Sequence, residues 1–139
     1  MVGILVRDVM HKDVVTCGPS LPLREVASLM VDNHVGSAVV VTGGIVQGMV
    51  TERDLLQAVA ERETLDGVTV ADVMTRYVYS VTPAQSVQTA IALMTEHRIK
   101  KLPVMDGRRL VGIVTATDII DRQPDLMDAL KVLMKGRKA

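Results

Sequence analysis

The sequence predicts a mixed α/β (α+β) fold in which two β-α-β-β-α repeats pack through their sheets into one module. Three observations support this class. Valine accounts for 24 of the 139 residues, and so many β-branched side chains favour buried strands. The chain also aligns with itself without a gap at an offset of 64, with 13 identities among the 50 positions compared. Finally, a repeat of ~50 residues is marginal alone, so we expect the two copies to pack together.

Each repeat opens with an Asp-Val-Met turn, a short apolar strand and an amphipathic helix whose apolar residues recur at helical spacing. These three elements lie at 8–10, 14–16 and about 22–33 in the first repeat, and at 72–74, 78–81 and about 86–97 in the second.

A β-hairpin and a second helix complete each repeat. The hairpin of the first repeat joins 37–41 to 45–50 through Gly43-Gly44, and that of the second joins 102–105 to 109–114 through Asp106-Gly107. Both dipeptides are favoured in two-residue hairpin loops. We expect the following helices to begin after Thr51 and Thr115.

These elements place the first domain at 7–66, the second at 67–122 and a C-terminal helix with a basic tail at 123–139. The helix is expected from about Pro124 to Lys135, ending at Gly136, which matches the preference for proline at helix starts and glycine after helix ends. Its apolar stripe packs on its own module or a sister chain, or else serves a membrane or partner helix. The stripe consists of Leu126, Leu130 and Leu133.

Composition excludes several classes of protein. With 48% apolar residues, 23% charged residues and no net charge, the chain is neither disordered nor a strongly basic nucleic-acid binder. Two tyrosines and no Phe or Trp leave few platforms for stacking single-stranded bases. No apolar run reaches the ~20 residues of a membrane span, and one cysteine excludes a disulfide framework. We expect a soluble, cytoplasmic protein.

The motif Gly-x-Val-Thr-x-x-Asp occurs twice, where the hairpin passes into the next helix. Its threonines are Thr51 and Thr115, and its aspartates are Asp54 and Asp118. Backbone amides at a helix start and a threonine hydroxyl suit a phosphate, while a carboxylate one turn later suits a ribose diol. The same spacing also matches a capping box, which only satisfies unpaired amides. Both interpretations stay open, and the duplication favours a ligand site.

The order and duplication of these motifs resemble a known family. The Asp-Val-Met turns, the segments 48–54 and 112–118, and Leu102-Pro103-Val104 look like a tandem pair of cystathionine-β-synthase (CBS) domains, called a Bateman module. The resemblance covers residues 7–120. It implies two related clefts that bind adenosine compounds, namely AMP, ADP or ATP, with S-adenosylmethionine as a further option.

The resemblance also implies ligand contacts by position. The threonine and aspartate of each motif would hold ribose and phosphate, with Arg53 as a competing phosphate ligand and Thr117 at the equivalent position. The other implied contacts surround the base: Thr16, Val35, Gly36, Ser37 and Ala38 in the first repeat, and Ser80, Ile99, Lys100, Lys101, Leu102 and Pro103 in the second. Aliphatic side chains would sandwich the purine.

The two repeats differ in charge and in one strand residue. Residues 7–56 hold six acidic and four basic residues (net −2), whereas 71–120 hold four acidic and six basic residues (net +2). Arg98, Lys100 and Lys101 would favour phosphates, or they form only a solvated strand entry. Where the second repeat has the family's proline, Pro103, the first has Val39. We therefore hypothesise one dominant nucleotide site with the basic stretch at its rim.

The predicted function is a regulatory sensor that binds an adenine nucleotide and transmits a conformational change to a partner protein. The family implies a homodimer. The alternative is a ligand-free structural subunit for dimerisation or docking. We expect no enzyme activity, because no phosphate-binding loop or nucleophile–base pair is visible. We also expect no metal, no cofactor, and no membrane or nucleic-acid partner. The histidines are scattered without the spacing of metal ligands, and the single cysteine has no catalytic base beside it in sequence; these residues are His11, His34, His97 and Cys17.

Overall fold

The computed structural model describes residues 3–76 and 78–135. Its helices are α1 (Val6–Val9), α2 (Leu23–Asp32), α3 (Glu52–Glu61), α4 (Val70–Val73), α5 (Val87–His97), α6 (Ala116–Arg122) and α7 (Met127–Lys135). Its strands are β1 (Thr16–Cys17), β2 (Ser37–Thr42), β3 (Ile45–Thr51), β4 (Lys101–Asp106) and β5 (Arg109–Thr115). The structure combines helices with two small sheets, which confirms the predicted mixed α/β class.

The chain forms two compact units that are offset from its sequence repeats. The first unit comprises the described residues between 14 and 78, and the second combines 3–13 with 79–135. The segment that carries Asp-Val-Met in each repeat therefore belongs to the unit formed by the other repeat. We call these segments the first leader (residues 5–11, in the second unit) and the second leader (residues 69–75, in the first unit).

The first unit contains a three-stranded sheet in the order β1-β2-β3. Strand β1 runs parallel to β2, and β2 and β3 form an antiparallel hairpin. Both turn glycines, Gly43 and Gly44, have positive φ (57° and 80°), as a type I′ turn requires. The second leader completes the core, because Val70 and Met74 pack with buried residues of α2 and β2.

The second unit contains the hairpin β4-β5. The strand predicted at 78–81 is wrong, because residues 78–80 form no strand and Val81 makes an isolated parallel bridge to Val104. The hairpin turn also lies one residue later than predicted. Asp106 pairs with Arg109, so the loop is Gly107-Arg108, and positive φ at Gly107 alone (63°) is the pattern of a type II′ turn.

The C-terminal helix packs within the second unit. A 3-10 turn at Pro124–Leu126 leads into α7, whose Leu130 and Leu133 are buried with Leu126 packed beside them. Val6 and Val9 of the first leader join the same core. This supports the prediction that the stripe packs on its own module, and Gly136 lies outside the described residues. Among the residues that the structure describes, no helix is long and apolar enough to cross a membrane.

Candidate ligand site

The first corner is formed by Thr51 and Asp54, where β3 passes into α3. The backbone N–H of Thr51 donates to Asp54 Oδ2 at 2.8 Å, and its hydroxyl donates to the same oxygen at 3.2 Å. The N–H of Asp54 donates back to Thr51 Oγ1 at 3.4 Å. The capping box is therefore formed, and it engages only one of the two carboxylate oxygens.

The other oxygen of Asp54 faces the second leader. The hydroxyl of Thr75 donates to Asp54 Oδ1 at 3.5 Å, the outer limit of hydrogen-bond length. Two backbone bonds between Thr75 and Met49 of β3, at 3.0 and 2.8 Å, fix this part of the leader. A carboxylate has about four lone-pair positions, so the cap leaves this corner able to accept further donors.

The second corner is formed by Thr115 and Asp118, where β5 passes into α6. Thr115 Oγ1 donates to Asp118 Oδ2 at 2.6 Å and accepts from the N–H of Asp118 at 3.1 Å. Between these two described residues the bond from the threonine N–H to the carboxylate, present at the first corner, is not formed. Asp118 Oδ1 instead lies 2.9 Å from Nε2 of His11.

Sequence reasoning did not identify Thr75 or His11 as parts of these corners. Each directly follows an Asp-Val-Met sequence, and the offset of 64 places them at equivalent positions. That equivalence was an available signal. It does not reveal that each leader joins the unit of the other repeat, which brings Thr75 to Asp54 and His11 to Asp118.

A third Thr-x-x-Asp shows that this spacing forms a capping box without a hairpin before it. In the second leader, the N–H and hydroxyl of Thr69 donate to Asp72 Oδ2 at 2.9 and 3.2 Å. These bonds, the one from the backbone N–H first, hold the pKa of Asp72 below its usual value. This box lies at the start of the short helix α4, and its Asp72 lines the same pocket as Asp54.

The residues predicted to surround a base lie at the start of each hairpin. In the first unit Ser37 and Ala38 are buried, Val35 and Gly36 are half-buried, and Thr16 is exposed opposite Val39. In the second, Leu102 and Pro103 are buried, Ile99, Lys100 and Lys101 are half-buried, and Ser80 is exposed.

A backbone hydrogen bond ties each hairpin start to its corner. The N–H of Glu52 donates to the carbonyl of Gly36 at 3.1 Å, and the N–H of Ala116 donates to the carbonyl of Lys100 at 2.8 Å. The second residue after each threonine is Arg53 in the first repeat and Thr117 in the second, and both are exposed. The structure therefore brings most of the predicted residues of each repeat to one region of one unit.

The remaining chemically reactive side chains lie elsewhere. Cys17 is buried in β1, and burial raises the pKa of its thiol, which disfavours the reactive thiolate. His97 stacks on Tyr79 with ring centroids 3.6 Å apart, and His34 is exposed after α2. Within residues 3–76 and 78–135, no group of three or more His, Cys, Asp or Glu side chains is placed to hold a metal ion.

Comparison with protein families finds a match for the whole repeat structure. The model described as "CBS domain" matches twice, at residues 6–61 and 70–125. The chain belongs to the CBS domain family. The tandem resemblance expected from the motifs is thereby confirmed, and the two corners are equivalent positions of two CBS repeats.

Known proteins with this domain pair match along most of the chain. The CBS domain-containing protein YhcV of Bacillus subtilis is 39% identical over 120 residues, covering 85% of this chain and 84% of that protein. The CBS-domain containing protein ATU1752 of Agrobacterium tumefaciens has a crystal structure with a TM-score of 0.80 and 31% identity, covering 86% of this chain and 98% of that one.

A further relative was crystallised with ligands. The CBS domain pair of protein MJ0100, in complex with 5′-methylthioadenosine and S-adenosyl-L-methionine, gives a TM-score of 0.82 at 27% identity, covering 89% of this chain and 98% of that chain. Both bound molecules contain adenosine.

The two CBS repeats differ in the charges near their corners. In the second repeat, Arg98, Lys100 and Lys101 replace His34, Gly36 and Ser37 of the first. Lys100 is the residue whose carbonyl accepts from the N–H that follows Thr115. The positive residues therefore lie along the chain segment that enters β4, next to the second corner.

Proposed function

We propose that this CBS pair is a regulatory module that binds an adenosine compound at its two Thr-x-x-Asp corners. The observation that carries the proposal is the carboxylate of Asp54, which caps α3 through one oxygen and, within the described residues, has one long contact on the other, to Thr75. A ribose diol can donate two hydrogen bonds to such a carboxylate. The adenosine compounds bound to the MJ0100 domain pair support this ligand class.

Within this class we favour an adenine nucleotide, AMP, ADP or ATP, with the dominant site at the second corner. Charge-assisted bonds from the basic side chains at the entry to β4 would stabilise a phosphate there. At the first corner the equivalent residues are mostly uncharged, and Arg53 is the basic side chain next to Thr51. S-adenosylmethionine carries a positive sulfonium and would gain less from the basic stretch.

The regulatory part of the proposal is a shift between two arrangements of the module. A ligand that binds one arrangement more tightly shifts the population toward it, and a partner protein would read that shift without chemical turnover of the nucleotide. We further propose a homodimer, which light scattering coupled to size-exclusion chromatography would test. ATP incubated with the protein should stay intact when the mixture is analysed by chromatography.

The ligand proposal is tested by thermal shift with AMP, ADP, ATP, S-adenosylmethionine, 5′-methylthioadenosine and GMP. A ligand that binds the folded state raises the melting temperature by mass action. We expect a shift with at least one adenine nucleotide and none with GMP. Asp118→Ala should remove most of the shift if the second corner dominates, and Asp54→Ala should remove the remainder.

Ser86→Ala is the matched control for these variants. It removes the N-cap of α5, whose hydroxyl accepts from the N–H of Thr89, so it should lower stability like a lost cap while leaving the ligand shift unchanged. Equal affinity at two sites in a titration would contradict the dominance of the second corner.

A structural docking subunit is the second candidate. The capping bonds at Thr51 and Thr115 favour it, because both aspartates already have a role in the apo protein. This function predicts no thermal shift with any nucleotide, while Asp54→Ala and Asp118→Ala still lower the melting temperature as Ser86→Ala does.

A further inference from the structure

The carboxylate of Asp118 has both of its oxygens engaged by side chains of its own unit. Oδ2 accepts the short 2.6 Å bond from the Thr115 hydroxyl, and Oδ1 lies 2.9 Å from Nε2 of His11. The Asp118 side chain is 20% exposed, whereas that of His11 is 62% exposed. The imidazole is therefore the more exposed member of the pair, and it covers one oxygen of the carboxylate.

The equivalent aspartate of the first repeat has no such neighbour. At Asp54 the position of His11 is taken by Thr75, whose hydroxyl reaches Oδ1 only at 3.5 Å. A hydroxyl at this distance binds weakly, whereas the imidazole nitrogen of His11 lies in close polar contact with its carboxylate oxygen, at 2.9 Å. The two aspartates thus differ in how available their second oxygen is.

The backbone holds His11 beside Asp118. Its N–H donates to the carbonyl of Ile113 at 2.8 Å, and its carbonyl accepts from the N–H of Ile113 at 2.9 Å. On α6, the guanidinium of Arg122 donates to the carbonyl of Asp8 in the same leader at 3.0 Å. Because the leader is fixed at these points, the carboxylate can be released by rotation of the His11 side chain without movement of the leader.

We propose that His11 is a positioning residue that holds Asp118 and makes the second corner less accessible than the first to a ribose diol. The inference rests on the proposed function, since it concerns access to the same site. A ribose diol must displace the imidazole before its two hydroxyls can donate to both carboxylate oxygens of Asp118. Specificity follows: a phosphate-bearing ligand can use the basic stretch of the second repeat, whereas an uncharged nucleoside gains nothing there that offsets the displacement.

Adenosine is the probe that isolates this effect, because it has the ribose diol and no phosphate. We would measure its Kd by calorimetry in an Asp54→Ala background, so that the second corner alone is read. His11→Thr, which gives the second corner the residue of the first, should lower the Kd about two- to fivefold, the scale of an exposed ion pair. His11→Gln keeps a side-chain N–H near the position of Nε2 and should restore the original Kd.

The reciprocal exchange tests the same idea at the other corner. In an Asp118→Ala background, Thr75→His should raise the Kd for adenosine by a similar factor. The control for His11→Thr is Lys12→Thr, at an exposed position next to His11. In the Asp54→Ala background it should leave the Kd for adenosine unchanged. Circular dichroism melting of each apo variant verifies that it is folded.

The possible failures are distinguishable. If the Asp54→Ala protein binds adenosine with the same Kd whether or not it also carries His11→Thr, the positioning role is refuted while the proposed function stands. The positioning role is equally refuted if adenosine binds no variant although AMP shifts the melting of the wild type. If no adenosine compound binds any variant, the proposed function fails together with the inference.

Discussion

The carbonyl oxygen of Thr75 lies 2.5 Å from the position that a Cβ on Gly48 would occupy. The same relationship recurs in the second unit, where the carbonyl of His11 lies 2.8 Å from a Cβ built on Gly112. Both glycines are the first residue of the Gly-x-Val-Thr-x-x-Asp motif. Their role is therefore to let a leader lie against the hairpin, which places the residue after Asp-Val-Met beside the aspartate.

Gly48→Ala should destabilise the protein by about 1–3 kcal/mol, because the added methyl would have to move backbone atoms of Thr75. Gly18→Ala is the control, since a Cβ there would meet nothing within 4 Å, and it should be neutral or slightly stabilising. Urea unfolding followed by circular dichroism measures both. Equal stability of the two variants would contradict the close approach.

Val39→Pro should destabilise the protein by about 1–3 kcal/mol. The N–H of Val39 donates to the carbonyl of Val15 at 2.9 Å, and proline removes that donor and leaves a carbonyl unpaired. The second repeat already has Pro103 at this position and lacks the corresponding strand, so Pro103→Val should change stability little. Urea unfolding of both variants checks this, and a Val39→Pro protein as stable as the wild type would refute it.

His34→Gly should stabilise the protein by up to about 1 kcal/mol. His34 follows the C-cap of α2 with φ of +55°, a left-handed conformation that glycine adopts without steric cost. Asp32→Gly, at the last residue of α2, is the control and should destabilise by a comparable amount. A lower melting temperature for His34→Gly would show that its side chain makes contacts that outweigh the backbone term.

Asp72 should contribute to the acid sensitivity of the fold. Hydrogen bonds from Thr69 lower the pKa of its carboxyl in the folded state, so the unfolded chain binds the proton more readily. The resulting stability is present above the unfolded value, about 3.9, and is lost as the pH falls through the lower folded value. Asp72→Asn should therefore flatten the loss of stability in unfolding experiments between pH 5 and 2.5.

Two further variants separate this effect from loss of charge. Asp13→Asn removes an exposed carboxylate outside any Thr-x-x-Asp sequence and should retain the wild-type acid dependence. Thr69→Val removes the hydroxyl while keeping the backbone N–H, so it should give an intermediate slope. An unchanged slope in Asp72→Asn would show that other carboxylates account for the acid sensitivity.

Local patterns predicted most of the elements. Helical spacing of apolar residues gave α2 and α5, and the glycine turns gave both hairpins, because amphipathic period and turn conformation are properties of a few neighbouring residues. The error at 78–81, by contrast, has a non-local cause. Pro103 lies 22 or more residues away in sequence from that segment, and its missing amide matters only because β4 lies beside it.

The sequence by itself determined the duplication, the fold class and the positions of Asp54 and Asp118 at the end of a hairpin. Only the tertiary structure decided which side chain stands beside each aspartate. Nothing local to the Asp-Val-Met segments specifies that they join the hairpin of the other repeat. That choice depends on burying Val6 and Val9 in one core and Val70 and Met74 in the other, since an isolated repeat encloses too little apolar surface.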